Sequence, residues 1–328
     1  MLKADTRWRA VFALLAAFVL ALGVAACGDD DDDGGDDGGG GSGELIESNP
    51  DNSGKAVTVG SKNFTEQFIL GEIYAQALEA AGYDVSTDLN LGSEQVALQA
   101  LESGEISGYP EYTSTALTSF FGLAPEDVPG DPDEATEQSA AEFEKQGLVA
   151  FAAAPFNSAN AVGTLKTTAD ELGLEKVSDL EGQSQDLTLF GSPECRQRVD
   201  CLVGLEDGYG LEFAKFTPVD IEQRYPVLDD GQADLSILFT TDPQLSTQAD
   251  TYVILEDDQG VFPAGNPVFV ASQQAVDESG PDFQSTIESV QEGLTLDVMQ
   301  ELNARVDIDK EEPAAVATQY LQESGYIE

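Results

Sequence analysis

The 328-residue sequence contains no histidine. That removes the side chain that titrates near neutrality, acts most often as a general base and ligates metals, and with it the Ser-His and Cys-His hydrolases. A Ser-Lys pair built on Lys62 remains conceivable on residue types alone, but there is no G-x-S-x-G elbow and no S-x-x-K spacing to support one. No enzymatic activity is expected. Basic residues are scarce as well: 14 against 62 acidic ones leave a formal charge of −48, which argues against nucleic acid or an anionic membrane surface as partner. Cysteine is limited to three positions. The spacing of Cys195 and Cys201 in PECRQRVDC matches no common zinc pattern, and neither a metal nor a cofactor is expected.

At the amino end, Arg7 and Arg9 precede an apolar run from Val11 to Ala21 that is short for a membrane span and reads as an export signal. It closes on Val24-Ala25-Ala26-Cys27, which resembles the lipobox of bacterial lipoproteins, so residues 1–27 are expected to be a signal peptide with Cys27 as the lipidation site. Export places the other two cysteines in an oxidising compartment, and a local Cys195–Cys201 disulfide follows. Residues 28–53 begin as GDDDDDGGDDGGGGSG, a run with nothing apolar to bury, and are expected to form a solvated tether. The Asp run offers carboxylates but no ordered loop to fix their angles, so it is not read as a calcium site.

From about Gly54 the composition becomes globular, with 41% hydrophobic residues over the chain, and strand-like and helix-like segments alternate. This favours an α/β architecture with partly parallel sheets. In TVGSKNFTEQ the strand residues Val57 and Val59 run into Gly60-Ser61-Lys62, and Asn63 with Glu66 has the spacing of a capping box for the helix that follows. Lys62 thus stands at a strand's carboxyl end, where open α/β sheets bind ligands. Two stretches echo each other about 130 residues apart: LQALESGEISGYPEYTST and YPVLDDGQADLSILFTTD each read as a helix, an acidic Gly turn, a short strand, then an aromatic followed by hydroxyls. They suggest two lobes of related design, residues 54–156 with 244–328 as lobe 1 and residues 157–243 as lobe 2, crossing near Pro155 and Pro243.

The blocks GSKNFTEQFILGEIYAQALEAAGY, GEISGYPEYTST, FGSPEC with its downstream Arg and GYGLEF, ILFTTD and ILEDDQG, in this order, resemble the glycine betaine/choline/carnitine-binding family, the substrate-binding components of ABC importers for quaternary ammonium osmoprotectants. The resemblance covers about Val57 to the C-terminus. It implies a two-lobed periplasmic-binding-protein-like (type II) fold with the ligand cleft between the lobes. It also implies a monomer on the outer face of the bacterial cell membrane, held by its lipid and delivering ligand to a permease with its ATPase. Such a ligand has no N–H to donate, so aromatic faces hold the ammonium, while Arg, Lys or hydroxyl donors hold a carboxylate. Carried over position by position, the carboxylate side falls on Lys62, Thr115 and Arg198, and the aromatic cage on Tyr112, Tyr225 and Phe239.

Two positions depart from the family pattern. A further cage aromatic is replaced by Asn160 and a helping acid by Ser158. Asn160 offers a donor and an acceptor that a trimethylammonium head cannot use, which keeps open a different small zwitterion, polar osmolyte or amino acid as ligand. A purely adhesive lipoprotein would leave the ordered blocks without a purpose.

Overall fold

The computed structural model of the chain describes residues 43–328. The expected export signal, Cys27 and the expected tether up to residue 42 lie outside these described residues. Residues 43–53 are not tether. Gly43 and Ile46 donate backbone bonds to Ser324 and Tyr326, and Asn49 donates one to the Ala81 carbonyl at 3.0 Å. The amides of Asn49 and Asn52 both donate to Asp282, at 2.7 and 3.1 Å, and Asn52 is buried. Side-chain amides able to satisfy buried partners are what separate this stretch from the Asp/Gly run before it.

Among the described residues, ten strands form two five-stranded sheets. The first contains β1 (Ala56–Gly60), β2 (Asp84–Asp88), β3 (Gly108–Tyr112), β4 (Leu148–Ala153) and β10 (Pro267–Ser272), in the order β2-β1-β3-β10-β4. The second contains β5 (Asn160–Leu165), β6 (Thr188–Gly191), β7 (Lys215–Pro218), β8 (Leu235–Phe239) and β9 (Tyr252–Ile254), in the order β7-β6-β8-β5-β9. In each, three adjacent strands pair in parallel, the strand beside the third is antiparallel to it (β10 against β3, β5 against β8), and the edge strand beyond, β4 or β9, runs with the first three. The central strand β3 carries Pro110 without loss. Its pairing with β1 is confined to Gly108, and the next N–H on that edge, Tyr112, bonds instead to the Glu111 side chain at 2.7 Å.

The helix Thr65–Ala80 follows β1 and buries Ile69, Leu70, Ile73, Tyr74, Ala77 and Leu78 against the first sheet and the helices Pro281–Gln291, Leu296–Asp307 and Pro313–Glu323. It ends at Gly82, whose φ of 99° lets the Tyr83 N–H reach back to the Leu78 carbonyl at 3.1 Å. The expected capping box is absent: the N-cap is Phe64, with no side-chain cap bond. Glu66 is drawn inward to other partners.

The expected lobe boundary at residue 243 is displaced. β9 pairs with β5, so the segment after Pro243 stays with the second sheet, and the chain returns only at Gly265. There Gly265 and Ser158 exchange backbone bonds of 2.9 Å in each direction, laying the two crossings side by side. A side chain at Gly265 would bring Cβ to 2.3 Å from Ser114 Oγ and 2.7 Å from its backbone nitrogen, so the crossing requires glycine. Asn266, next in the chain, donates its side-chain amide to the Ala154 carbonyl at 3.0 Å and closes the junction from the other crossing.

Candidate ligand-binding site

The carboxyl ends of β1, β3, β6 and β8 face a common cavity of ≈ 100 Å³, room for a small molecule and not for a peptide. Six of the seven expected residues line it: Lys62, Tyr112, Thr115, Asn160, Arg198 and Phe239.

Tyr225 does not. It is buried in the second lobe, edge-on to Tyr252 with ring centres 4.8 Å apart, and its hydroxyl donates to Asp242 at 3.0 Å. Tyr225 opens the short helix Pro226–Asp229, whose residue Leu228 packs with it under β8, so the ring points into the core. Two further aromatics line the cavity, Phe262 and Phe64, the latter 5.3 Å from Phe239 and 6.3 Å from Tyr112 between ring centres. It stands two residues after Lys62 in the quoted block, where its period matches the apolar face of the helix. Its position one residue before the helix instead turns it toward the cavity.

Lys62 is 5% exposed and forms an ion pair with Glu111, which is wholly buried. Its ammonium lies 4.6 Å from the centre of the Tyr112 ring and 5.9 Å from that of Phe64. A cation beside a helix start is thus answered from within the chain, by a strand acid two residues from the helix turn that carries Thr115. Tyr112 donates its hydroxyl to Glu66 at 2.6 Å, and Asn303 donates to the other oxygen of Glu66 at 3.0 Å. Burial pushes the Glu66 carboxyl above its ordinary value, against the bonds it receives from Tyr112, Thr241 and Asn303.

Arg198 sits in the loop closed by the Cys195–Cys201 disulfide. Its Nε donates to Asp200 Oδ1 at 2.7 Å and its Nη2 to Asp200 Oδ2, a two-pronged pair. Nη2 also reaches Thr115 Oγ1 at 3.4 Å, and Nη1 lies 3.6 Å from Glu94, both on the opposite sheet's side of the cavity. Burial works against the guanidinium's charge, yet the adjoining Asp200 raises its pKa overall. Asn160 donates to the Asp200 carbonyl at 3.0 Å, and Ser158 shares a 3.2 Å bond with Thr241, so both departures from the family pattern have partners inside the chain.

On the far side, Arg224 pairs with Asp242 and lies 4.9 Å over the Phe239 ring. Asp242 also accepts the Phe239 N–H at 2.9 Å. Glu94, Glu194 and Asp220 complete the charged lining. The sequence reading missed Phe64, Glu111 and Asp200. The last two carry a signal in hindsight, an acid within the quoted GYPEYTST and one two residues beyond Arg198.

Residues 55–323 match the family described as the substrate binding domain of the ABC-type glycine betaine transport system. The chain belongs to that family. A glycine-betaine-binding protein of Pseudomonas aeruginosa is 32% identical over 280 residues, 82% of this chain and 88% of the relative. A carnitine transport binding protein of Listeria monocytogenes is 28% identical over 84% of this chain and 89% of its own length. Among solved structures, one described as a glycine betaine/carnitine/choline ABC transporter superposes with a TM-score of 0.64 at 27% identity, covering 83% of this chain and all of the other. The two-lobed fold is the one this substrate-binding family shares, and its members are transport components that act outside the cytoplasm. Among the described residues, no helix is long and apolar enough to cross a membrane.

Proposed function

We propose that this chain captures a small quaternary ammonium osmoprotectant of the glycine betaine, choline or carnitine type and hands it to an ABC permease and its ATPase. It does so as a monomer tethered through a lipid on Cys27. The observation that carries this reading is the aromatic trio Phe64, Tyr112 and Phe239 facing one cavity. A methylated ammonium cannot accept or donate a conventional hydrogen bond, so ring faces are the groups that distinguish it from other cations. Because the trio draws Phe64 and Tyr112 from one lobe and Phe239 from the other, a ligand touching all three favours the closed arrangement, which is the differential affinity a hinge motion requires. Asn160 and Ser158, the residues that favour a polar ligand instead, both line the cavity, and each side chain makes one bond within the chain.

Calorimetric titration of choline, glycine betaine and carnitine, with a neutral amino acid as control, tests the reading. Micromolar binding of at least one quaternary compound is expected, and Phe64→Ala should weaken it several-fold to about thirtyfold, the worth of one well-placed ring. Binding of the amino acid alone, or a Phe64→Ala variant indistinguishable from the parent, would overturn it.

A further inference from the structure

Behind the strand-end rings the two lobes meet along a second, buried seam. The helix Leu296–Asp307 packs on Thr65–Ala80 in the first lobe and reaches across to the segment that follows β8 in the second. Gln300 donates to the Thr240 carbonyl at 3.3 Å, and Asn303 donates to the Thr241 carbonyl at 3.2 Å as well as to Glu66. Glu66, Asn303, Thr241 and Asp242 are each less than 5% exposed, so opening the lobes brings water to groups that the closed seam keeps dry. None of these residues lines the ligand cavity.

The seam is short of positive charge. The first lobe brings Glu66 and Asp307 to it and the second brings Asp242, while Arg224 is committed to Asp242 through two bonds. Asp307 accepts from Thr65 Oγ1 at 2.5 Å, and the exposed Lys310 bonds its backbone carbonyl. Around Glu66, Lys62 is matched by Glu111, and Tyr74 and Tyr112 are phenols that burial and Glu66 itself hold in the neutral form. Burial pushes both Glu66 and Asp307 above the ordinary carboxylate range, and Asp242 opposes the ionisation of each from across the seam. Asn303 Oδ1, next to the Glu66 carboxyl, is buried without a donor, and a protonated carboxyl offers one. Parting the lobes admits water and carries Asp242 away from the two acids of the first lobe. The arrangement that holds the seam shut is then the one that holds a proton.

We propose that this seam is a proton-sensitive latch: closing the lobes takes a proton from solvent onto the pair Glu66 and Asp307, so the protein closes more readily in an acidified medium and loosens in an alkaline one. The proton belongs to the pair as a unit, since both acids face the same Asp242. A ligand that binds the closed arrangement and a proton that binds the closed seam favour each other by linkage, without touching. The closed state binds more protons than the open one, so its advantage is full at low pH and is lost as pH rises through the closed-state titration of the pair.

The test compares the full chain at pH 5.5 and 8 by small-angle scattering, and by calorimetric titration of glycine betaine and choline in buffers of different ionisation enthalpy. The parent should have the smaller radius of gyration at pH 5.5. Ligand binding should take up protons, and the dissociation constant should rise about threefold or more between pH 5.5 and 8. Glu66→Gln combined with Asp307→Asn should bring the radius at pH 8 down to its value at pH 5.5 and cut the change in dissociation constant to less than about twofold. Glu79→Gln, an exposed acid on the same helix as Glu66, should titrate as the parent does. A parent radius that does not respond to pH, protons released on binding, or a pH dependence that survives in the double variant overturns the latch, and the parent measurements decide even if the double variant fails to fold. The ligand arm rests on the functional reading above, whereas the scattering arm does not: failure of both compounds to bind would sink that reading and leave the radius to judge the latch.

Discussion

The two sheets share one strand order and one distribution of site residues, yet they hold their cations by different means. β3 and β8 are the third strands of their sheets and end in Tyr112 and Phe239, each followed by hydroxyl residues; β1 and β6 both end in Gly-Ser, at Gly60-Ser61 and Gly191-Ser192. After β1 a 16-residue helix packs into the larger core, and Lys62 is fixed by burial beside Glu111. After β6 the helix Leu202–Tyr209 has only 8 residues, and the loop before it is stapled by a disulfide around an Arg198 whose side chain stays 18% exposed. A lobe with ample core can position a charge by enclosing it. A lobe with less apolar material to spend on that loop positions its charge covalently.

The sharpest way to break this contrast is at the enclosed pair. Glu111→Gln leaves the Lys62 ammonium buried without its partner, and about 3–5 kcal/mol of stability should be lost in urea unfolding at pH 7. Removing both charges, as Lys62→Met with Glu111→Gln, should recover a substantial part of it. A single-variant loss under about 1 kcal/mol would mean that water reaches the pair and that burial is not what fixes it. The stapled loop should respond less in stability and more in binding. Cys195→Ser with Cys201→Ser removes closure of a short loop, worth about 2 kcal/mol on chain-entropy grounds, and loosens both Arg198 and Asp200. Urea midpoints and ligand titrations on the same samples distinguish the outcomes: a stability loss with affinity unchanged would assign the disulfide to folding alone.

The duplicated design was legible in the sequence because its marks are local. The helix, Gly turn, short strand and aromatic-hydroxyl end of LQALESGEISGYPEYTST and YPVLDDGQADLSILFTTD place themselves on β3 and β8 without reference to the rest of the chain. Lys62 could be placed at the cavity as a strand-end residue, whereas Tyr112 and Phe239 were placed there by the family resemblance, with which their positions at the ends of β3 and β8 agree. Tyr225 could not, since a residue preceding a four-residue helix can turn to either side, and what decides is the buried Asp242 from 17 positions away. The membership of β9 in the second sheet was hidden likewise, three residues whose pairing with β5 is long-range. Residues 43–53 were assigned to the tether because composition shifts before burial is visible, and only their bonds to Asp282, Ala81 and the C-terminal turn reveal them as part of the first lobe.

The smallest expected effect concerns the acids behind the two strand-end rings. Asp242, behind Phe239, has Arg224 as its counter-ion; Glu66, behind Tyr112, is 3% exposed and has only neutral donors, with Asp242 as a further charge opposing its ionisation. Folded Glu66 therefore holds its proton more tightly than the unfolded chain, whose carboxyl titrates near its ordinary value of 4.5. The folded state then binds more protons than the unfolded one across the interval above 4.5, and stability falls as pH rises through it toward the raised folded value. Glu66→Gln cannot titrate, so its melting temperature should fall less than the parent's between pH 4.5 and 8, with the difference between the two proteins moving in the variant's favour as pH rises. Asp307, also pushed up by burial, leaves a residual slope in both. Parallel curves would show that Glu66 ionises freely in the folded protein, and that the first lobe, like the second, supplies its buried acid with a compensating charge.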